Sequence, residues 1–147
     1  MEFMKMKNWK RQLCKKGAIL GAVGILAVGC SGTTVMAAKT VNGTLNGVAC
    51  HGRIDKDTST VFGSTSCDRG GVTIKVKVTA YYKLNKNYYY SEAYGSNTSG
   101  GAGATVKRKV PEMAIVGGKG LHTVSFNTHV WEGKTTFGTI PSKPTKI

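Results

Sequence analysis

From Val72 to Leu84 apolar and polar side chains alternate. Val72, Ile74, Val76, Val78, Ala80, Tyr82 and Leu84 fall on one face, and Thr73, Lys75, Lys77, Thr79, Tyr81 and Lys83 on the other. A period of two over this length predicts a half-buried antiparallel strand. Asn85-Lys86-Asn87 supplies turn residues, and "YYYSEAY" returns. Turning at Asn85-Lys86 sets Leu84 opposite Asn87, Lys83 opposite Tyr88, Tyr82 opposite Tyr89, Tyr81 opposite Tyr90, Thr79 opposite Glu92 and Lys77 opposite Tyr94. This register keeps Glu92 outside, whereas a slip of one residue buries its charge.

A second hairpin is predicted between Cys50 and Cys67, turning near Thr58-Ser59. It places Cys50 opposite Cys67, Gly52 opposite Thr65, Ile54 opposite Gly63 and Lys56 opposite Val61. Val48, Cys50, Ile54, Val61 and Cys67 then form an inner face, and His51, Asp55 and Phe62 an outer one. Directly opposed residues lie within reach of a disulfide.

The remaining chain reads as further short strands. Thr40 to Ile54 and Thr60 to Cys67 come first. Gly95 to Gly103, "GSNTSGGAG", reads as a flexible connection, and Ala104 to Val110 as a strand ended by Pro111. Val116 to Gly120, "VGGKG", reads as a turn. Leu121 to Trp131 reads as a strand turned by Glu132-Gly133-Lys134, with Thr135 to Ile140 returning. No amphipathic helix of useful length follows residue 39. The expected fold is all-β, a small antiparallel sandwich or barrel of about seven short strands. Cys50 and Cys67 are too close in sequence for the immunoglobulin arrangement.

The first 38 residues depart from this pattern. A basic start with Lys5, Lys7, Lys10, Arg11, Lys15 and Lys16 precedes the apolar run "AILGAVGILAVGC" and small residues near Ala37 and Ala38. This three-part order predicts a signal peptide helix cleaved after Ala37 or Ala38, in the manner of bacterial export. The expected organisation is a signal peptide at 1–38 and one secreted domain at 39–147. "AVGC" offers an alternative, lipidation at Cys30, with Ala27 where such boxes usually carry leucine. In the exported chain Cys50 and Cys67 form an even pair, which predicts a disulfide.

Composition adds a partner class. The full chain carries a formal net charge of +14; cleavage removes six of its positive charges and Glu2, leaving +9. Outside a cell such a balance favours anionic envelope polymers, acidic glycans and anionic membrane surfaces. The simpler reading is solubility. All six tyrosines lie between Tyr81 and Tyr94. The predicted register aims Tyr81, Tyr88, Tyr90 and Tyr94 outward beside Lys75, Lys77 and Lys83, as candidate ligand-binding residues. Rings among ammonium groups can stack on sugars while the lysines hold anions. The competing explanation is cross-strand packing of good strand formers.

Little points to catalysis or metal binding. His122 shares parity with Val124 and Phe126 at a core margin. On one continuous strand, His129 lies on the opposite face and roughly 23 Å away. His51 has no paired ligand nearby. Asp55-Lys56-Asp57 superficially matches a calcium loop, but Thr60 replaces the needed glycine and Ser66 the closing glutamate. No nucleophile elbow is present. "KRK" at Lys107–Lys109 is split between two strand faces. Asn42-Gly43-Thr44 and Asn97-Thr98-Ser99 match the short glycosylation pattern. No cofactor, metal or specific nucleic-acid motif emerges. The expected role is non-catalytic binding of a polyanionic or carbohydrate surface ligand. The alternative is an antimicrobial or toxin-like protein acting on anionic membranes.

Overall fold

The computed structural model describes residues 38–147. The expected signal peptide helix and Cys30 lie outside the described residues. Nine strands follow: β1 (Lys39–Leu45), β2 (Val48–Lys56), β3 (Thr60–Cys67), β4 (Thr73–Leu84), β5 (Asn87–Asn97), β6 (Gly101–Lys107), β7 (Ala114–Phe126), β8 (His129–Gly138) and β9 (Thr145–Lys146). They form a four-stranded sheet ordered β1-β2-β3-β6 and a five-stranded sheet ordered β8-β7-β4-β5-β9. All pairings are antiparallel except the short parallel one between β9 and β5. Buried side chains of both sheets share one core.

Nine strands rather than about seven arise because an asparagine turn divides Thr40–Ile54 and the short β9 is added. A second asparagine turn moves the next hairpin to Asn127, so Glu132-Gly133-Lys134 lies within β8 instead of forming the expected turn. Asn46 and Gly47 take φ of 52° and 80°, and with this turn Thr40–Ile54 becomes the β1–β2 hairpin. An Asn-Gly pair with both φ positive matches the twist of a two-residue hairpin. Asn127, at φ 53°, divides Leu121–Trp131 in the same way, placing Trp131 on β8 opposite Val124. Asn85, at φ 55°, turns β4 into β5 as expected. Asparagine tolerates this conformation because its short side chain can bond locally to the backbone.

Two more expectations are corrected. "VGGKG" is no turn but lies within β7, paired on both sides, with a bulge between Tyr81 and Tyr82 opposite Gly117 and Ile115. Its glycines make room for neighbours: a Cβ at Gly118 would strike the Phe137 ring, and one at Gly117 the backbone of Thr139. The flexible Gly95–Gly103 connection shrinks to Thr98–Gly100 between β5 and β6.

The alternation of β4 is realised. Val72, Ile74, Val76, Val78, Ala80 and Tyr82 are buried together with Ile54, Val61 and Val124. Burying each of the larger aliphatic side chains contributes about 1.5–3 kcal/mol against solvent exposure. The Tyr82 hydroxyl lies 3.2 Å from Ser91 Oγ and 3.4 Å from the Lys107 carbonyl, so the ring enters the core without leaving a polar atom unpaired. At one margin Trp131 of β8 lies against Gly43 of β1, where a Cβ would collide with the indole. At the other, a Cβ at Gly95 of β5 would collide with the Gly103 carbonyl of β6.

Candidate functional site

Among the described residues, the outer face of the five-stranded sheet gathers lysines, tyrosines, threonines and a carboxylate. The register places Lys75, Lys77, Thr79, Tyr81 and Lys83 of β4 beside Tyr88, Tyr90, Glu92 and Tyr94 of β5. Across the other edge of β4 stand Lys119 and Leu121 of β7, followed by Lys134 and Thr136 of β8. Every cross-strand pairing expected for the tyrosine hairpin is present.

Exposure divides the expected ligand-binding residues. Tyr94 is 67% exposed, whereas Tyr81 is only 7% exposed although it points away from the core. Tyr81 packs beside Tyr90, with ring centroids 6.4 Å apart, and Lys119 Nζ sits 5.7 Å from its ring. It is therefore not an open stacking platform. Tyr88 and Tyr90 are half-buried, while Lys75 and Lys83 are exposed. Lys83 Nζ lies 5.7 Å from the Tyr88 centroid and Lys77 Nζ 5.4 Å from that of Tyr94. Both distances fall within cation–π reach.

Glu92 organises the β5 side. Its carboxylate pairs with Lys77 at 2.7 Å and lies 3.7 Å from Lys146. It accepts hydrogen bonds from Thr79 Oγ1 at 3.2 Å and Tyr94 Oη at 3.0 Å. Burial opposes its ionised form, but the bonds from Lys77, Tyr94 and Thr79 prevail and hold the carboxyl below its ordinary range. The bond to Glu92 correspondingly raises the Lys77 ammonium above its usual value, against a smaller opposing effect of burial.

Between β4, β7 and β8 this face sinks into a trough of about 310 Å³. Lys77, Lys119 and Lys134 border it with Thr79, Leu121 and Thr136. Gly120 and Thr135 also line it, yet both are directed inward: Thr135 Oγ1 lies 2.8 Å from His122 Nε2, and a Cβ at Gly120 would meet that same pair. Their backbone thus supplies the floor. Lys77 is paired with Glu92, whereas Lys119 and Lys134 have no carboxylate within salt-bridge distance among the described residues. The sequence reading missed Lys119, Lys134, Leu121 and Thr136. The alternation of Lys119 and Leu121 was the available signal, hidden by assigning Val116–Gly120 to a turn.

The other titratable groups have structural surroundings. His122 is fully buried, with Nδ1 2.8 Å from Thr65 Oγ1 and Nε2 2.8 Å from Thr135 Oγ1. Burial lowers it to about 4, so the ring is neutral at pH 7. It lies deeper than the margin position expected, and His129 stands on the neighbouring strand rather than farther along the same one. Asp57 folds back over the β2–β3 turn, accepting from the Ser59 and Thr60 amides at 2.7 Å each and from Thr60 Oγ1 at 2.6 Å. The Thr60 hydroxyl and Ser59 amide lower it to about 2. Among the described residues no group of three His, Cys, Asp or Glu side chains is placed to hold a metal ion.

The opposite sheet's outer face is less basic. His51 Nδ1 lies 2.9 Å from Asn42 Oδ1, Arg53 pairs with Asp55 at 2.7 Å, and Phe62 stands opposite Asp55. Beneath it the Cys50–Cys67 register is as expected, but the expected disulfide is not formed. The sulfurs lie 3.2 Å apart as buried thiols. Burial, reinforced by Cys67, pushes the Cys50 thiol up to about 12. Cys50 therefore lacks the surroundings of an activated nucleophile.

Comparison with known protein families, with curated proteins and with solved structures finds no match.

Proposed function

We propose that this is a secreted, non-catalytic binding protein that holds an anionic polymer or acidic glycan of a cell envelope on the outer face of its five-stranded sheet. The observation that carries this reading is the convergence of Lys77, Lys119 and Lys134, from three adjacent strands, on one trough. Lys75 and Lys83 extend the positive field along β4, and exposed Tyr94 offers a ring beside it. Tyr88 and Tyr90 shape the margin, while Tyr81 acts as packing beneath Lys119. Such a field steers and retains polyanions.

A membrane-disrupting role has less support. It calls for a gathered apolar surface, whereas among the described residues the exposed large apolar side chains Phe62, Tyr94, Val110 and Val130 are dispersed over β3, β5, a loop and β8. The Cys50–Cys67 pair belongs to the same extracellular proposal. The opposed thiols lose two electrons and two protons to an external disulfide oxidant and close a staple across β2 and β3.

The test is retention of the exported protein on purified envelope polymer at low salt. Retention should be lost near 1 M salt, where the Debye length falls to about 3 Å. Absent or salt-insensitive retention would contradict the reading, and killing of sensitive bacteria at low protein concentration would favour the membrane alternative.

A further inference from the structure

We infer that the β7–β8 side of the trough is a discrete subsite for a tetrahedral oxyanion, the phosphate of a phosphodiester polymer, with Lys119, Lys134 and Thr136 as its donors. The inference rests on the polyanion reading above and assigns its ligand chemistry. Lys119 is directly opposite Thr136, and Lys134 lies two residues before Thr136 on the same strand face. Cross-strand neighbours sit about 5 Å apart at Cβ and same-face neighbours about 7 Å apart along a strand. Two flexible ammonium groups and a hydroxyl thus rise around one point from different directions. All three residues are exposed.

Lys77 is excluded from this donor set by its 2.7 Å pair with Glu92. The pairing of Glu92 with Lys77 leaves Lys119 and Lys134 as the trough's ammonium groups without a carboxylate partner among the described residues; Glu132, two residues before Lys134 on the same face of β8, bridges neither. Leu121, opposite Lys134, provides apolar surface for the backbone of a polymer.

The donor types suit phosphate. The two parallel donors of arginine match carboxylates and phosphates alike. Arg53 lies on β2, while Arg69 and Arg108 lie outside the strands; none is on this face. Lysine is a point charge that approaches a tetrahedral anion from any direction, and three separate donors suit its several oxygens.

The experiment compares the exported wild type, K119Q/K134Q and a charge-matched control, K107Q/K143Q. Lys107 and Lys143 are both exposed; Lys107 lies on β6 of the other sheet and Lys143 outside the strands, and neither lines the trough. Binding to poly(glycerol phosphate) and to polygalacturonate is measured by calorimetry at fixed salt, with thermal unfolding confirming that each variant is folded. The expected result is about a tenfold loss of poly(glycerol phosphate) affinity for K119Q/K134Q, a much smaller loss for the control, and weaker wild-type binding to polygalacturonate. Equal losses in both variants, or equal wild-type affinity for the two polymers, would overturn the subsite while leaving the polyanion face standing. Failure of the wild type to bind either polymer would overturn both readings.

Discussion

His122 Nδ1 lies 2.8 Å from Thr65 Oγ1, joining β7 of one sheet to β3 of the other through the core. Thr135 closes the opposite side of the ring at the same distance. A neutral imidazole donates from one nitrogen and accepts at the other, and threonine hydroxyls serve either role. Gly52 and Gly120 make the necessary space, since a Cβ at either position would enter the ring's volume.

This clasp predicts acid sensitivity. Burial lowers the folded-state value of His122 from 6.5 to about 4, so the unfolded chain binds more protons between those values. His122-linked stability is full above pH 6.5, declines as pH falls, and levels off below about 4. A change from 6.5 to about 4 corresponds to roughly 3 kcal/mol. Urea unfolding at stepped pH should show this decline, and H122L should lose the dependence in that window whatever its stability. A wild-type profile flat from pH 6.5 to 4 would contradict the clasp.

Gly120→Ala should destabilise the fold by about 1–3 kcal/mol, as overpacking does. This is the reverse of the expected benefit of alanine over glycine in a strand. The new methyl would meet Thr135 Oγ1 and the His122 ring. Chemical denaturation measures the difference; an unchanged midpoint and slope would show that the interior has slack there.

Asp57→Ala should cost about 1 kcal/mol, after the discount an exposed site requires, because several hydrogen bonds of the β2–β3 turn end on its carboxylate. Its value is lowered from 3.8 to about 2. The contribution is therefore full above pH 3.8 and vanishes as pH falls through about 2. Comparing the variant with wild type at pH 6 and pH 2 should show a difference that is much reduced in acid.

Oxidation of Cys50 and Cys67 should join them within the β2–β3 hairpin and stabilise the domain by about 3 kcal/mol in the chain-entropy picture. Mass spectrometry of exported protein before and after reduction should show a two-proton mass difference. Free thiols in exported protein would contradict the proposed staple.

The parts legible in sequence were those where one face is buried and a register slip is costly. The β4–β5 and β2–β3 pairings followed because only one register keeps Glu92 out and Ile54 in. The β7 strand was obscured because its glycines answer to Phe137, His122 and Thr139, neighbours supplied by tertiary packing rather than local pattern. With Val116–Gly120 taken as a turn, the expected site stopped at the tyrosine hairpin. The trough exists only because β7 pairs with both β4 and β8, bringing Lys119 and Lys134 beside Lys77. Tyr81 misled for a related reason. Parity gives the direction of a side chain, but its cover comes from Tyr90 and from Lys119, nearly forty residues along the chain.

Binding of a polyanion to one sheet face through the β7–β8 trough is tested by an amide chemical-shift titration of isotope-labelled exported protein with poly(glycerol phosphate). Saturable shifts should centre on Lys119, Lys134 and Thr136 and fade across β4, with His51 and Phe62 on the opposite face unmoved. Shifts centred on that opposite face, or none at low salt, would contradict it.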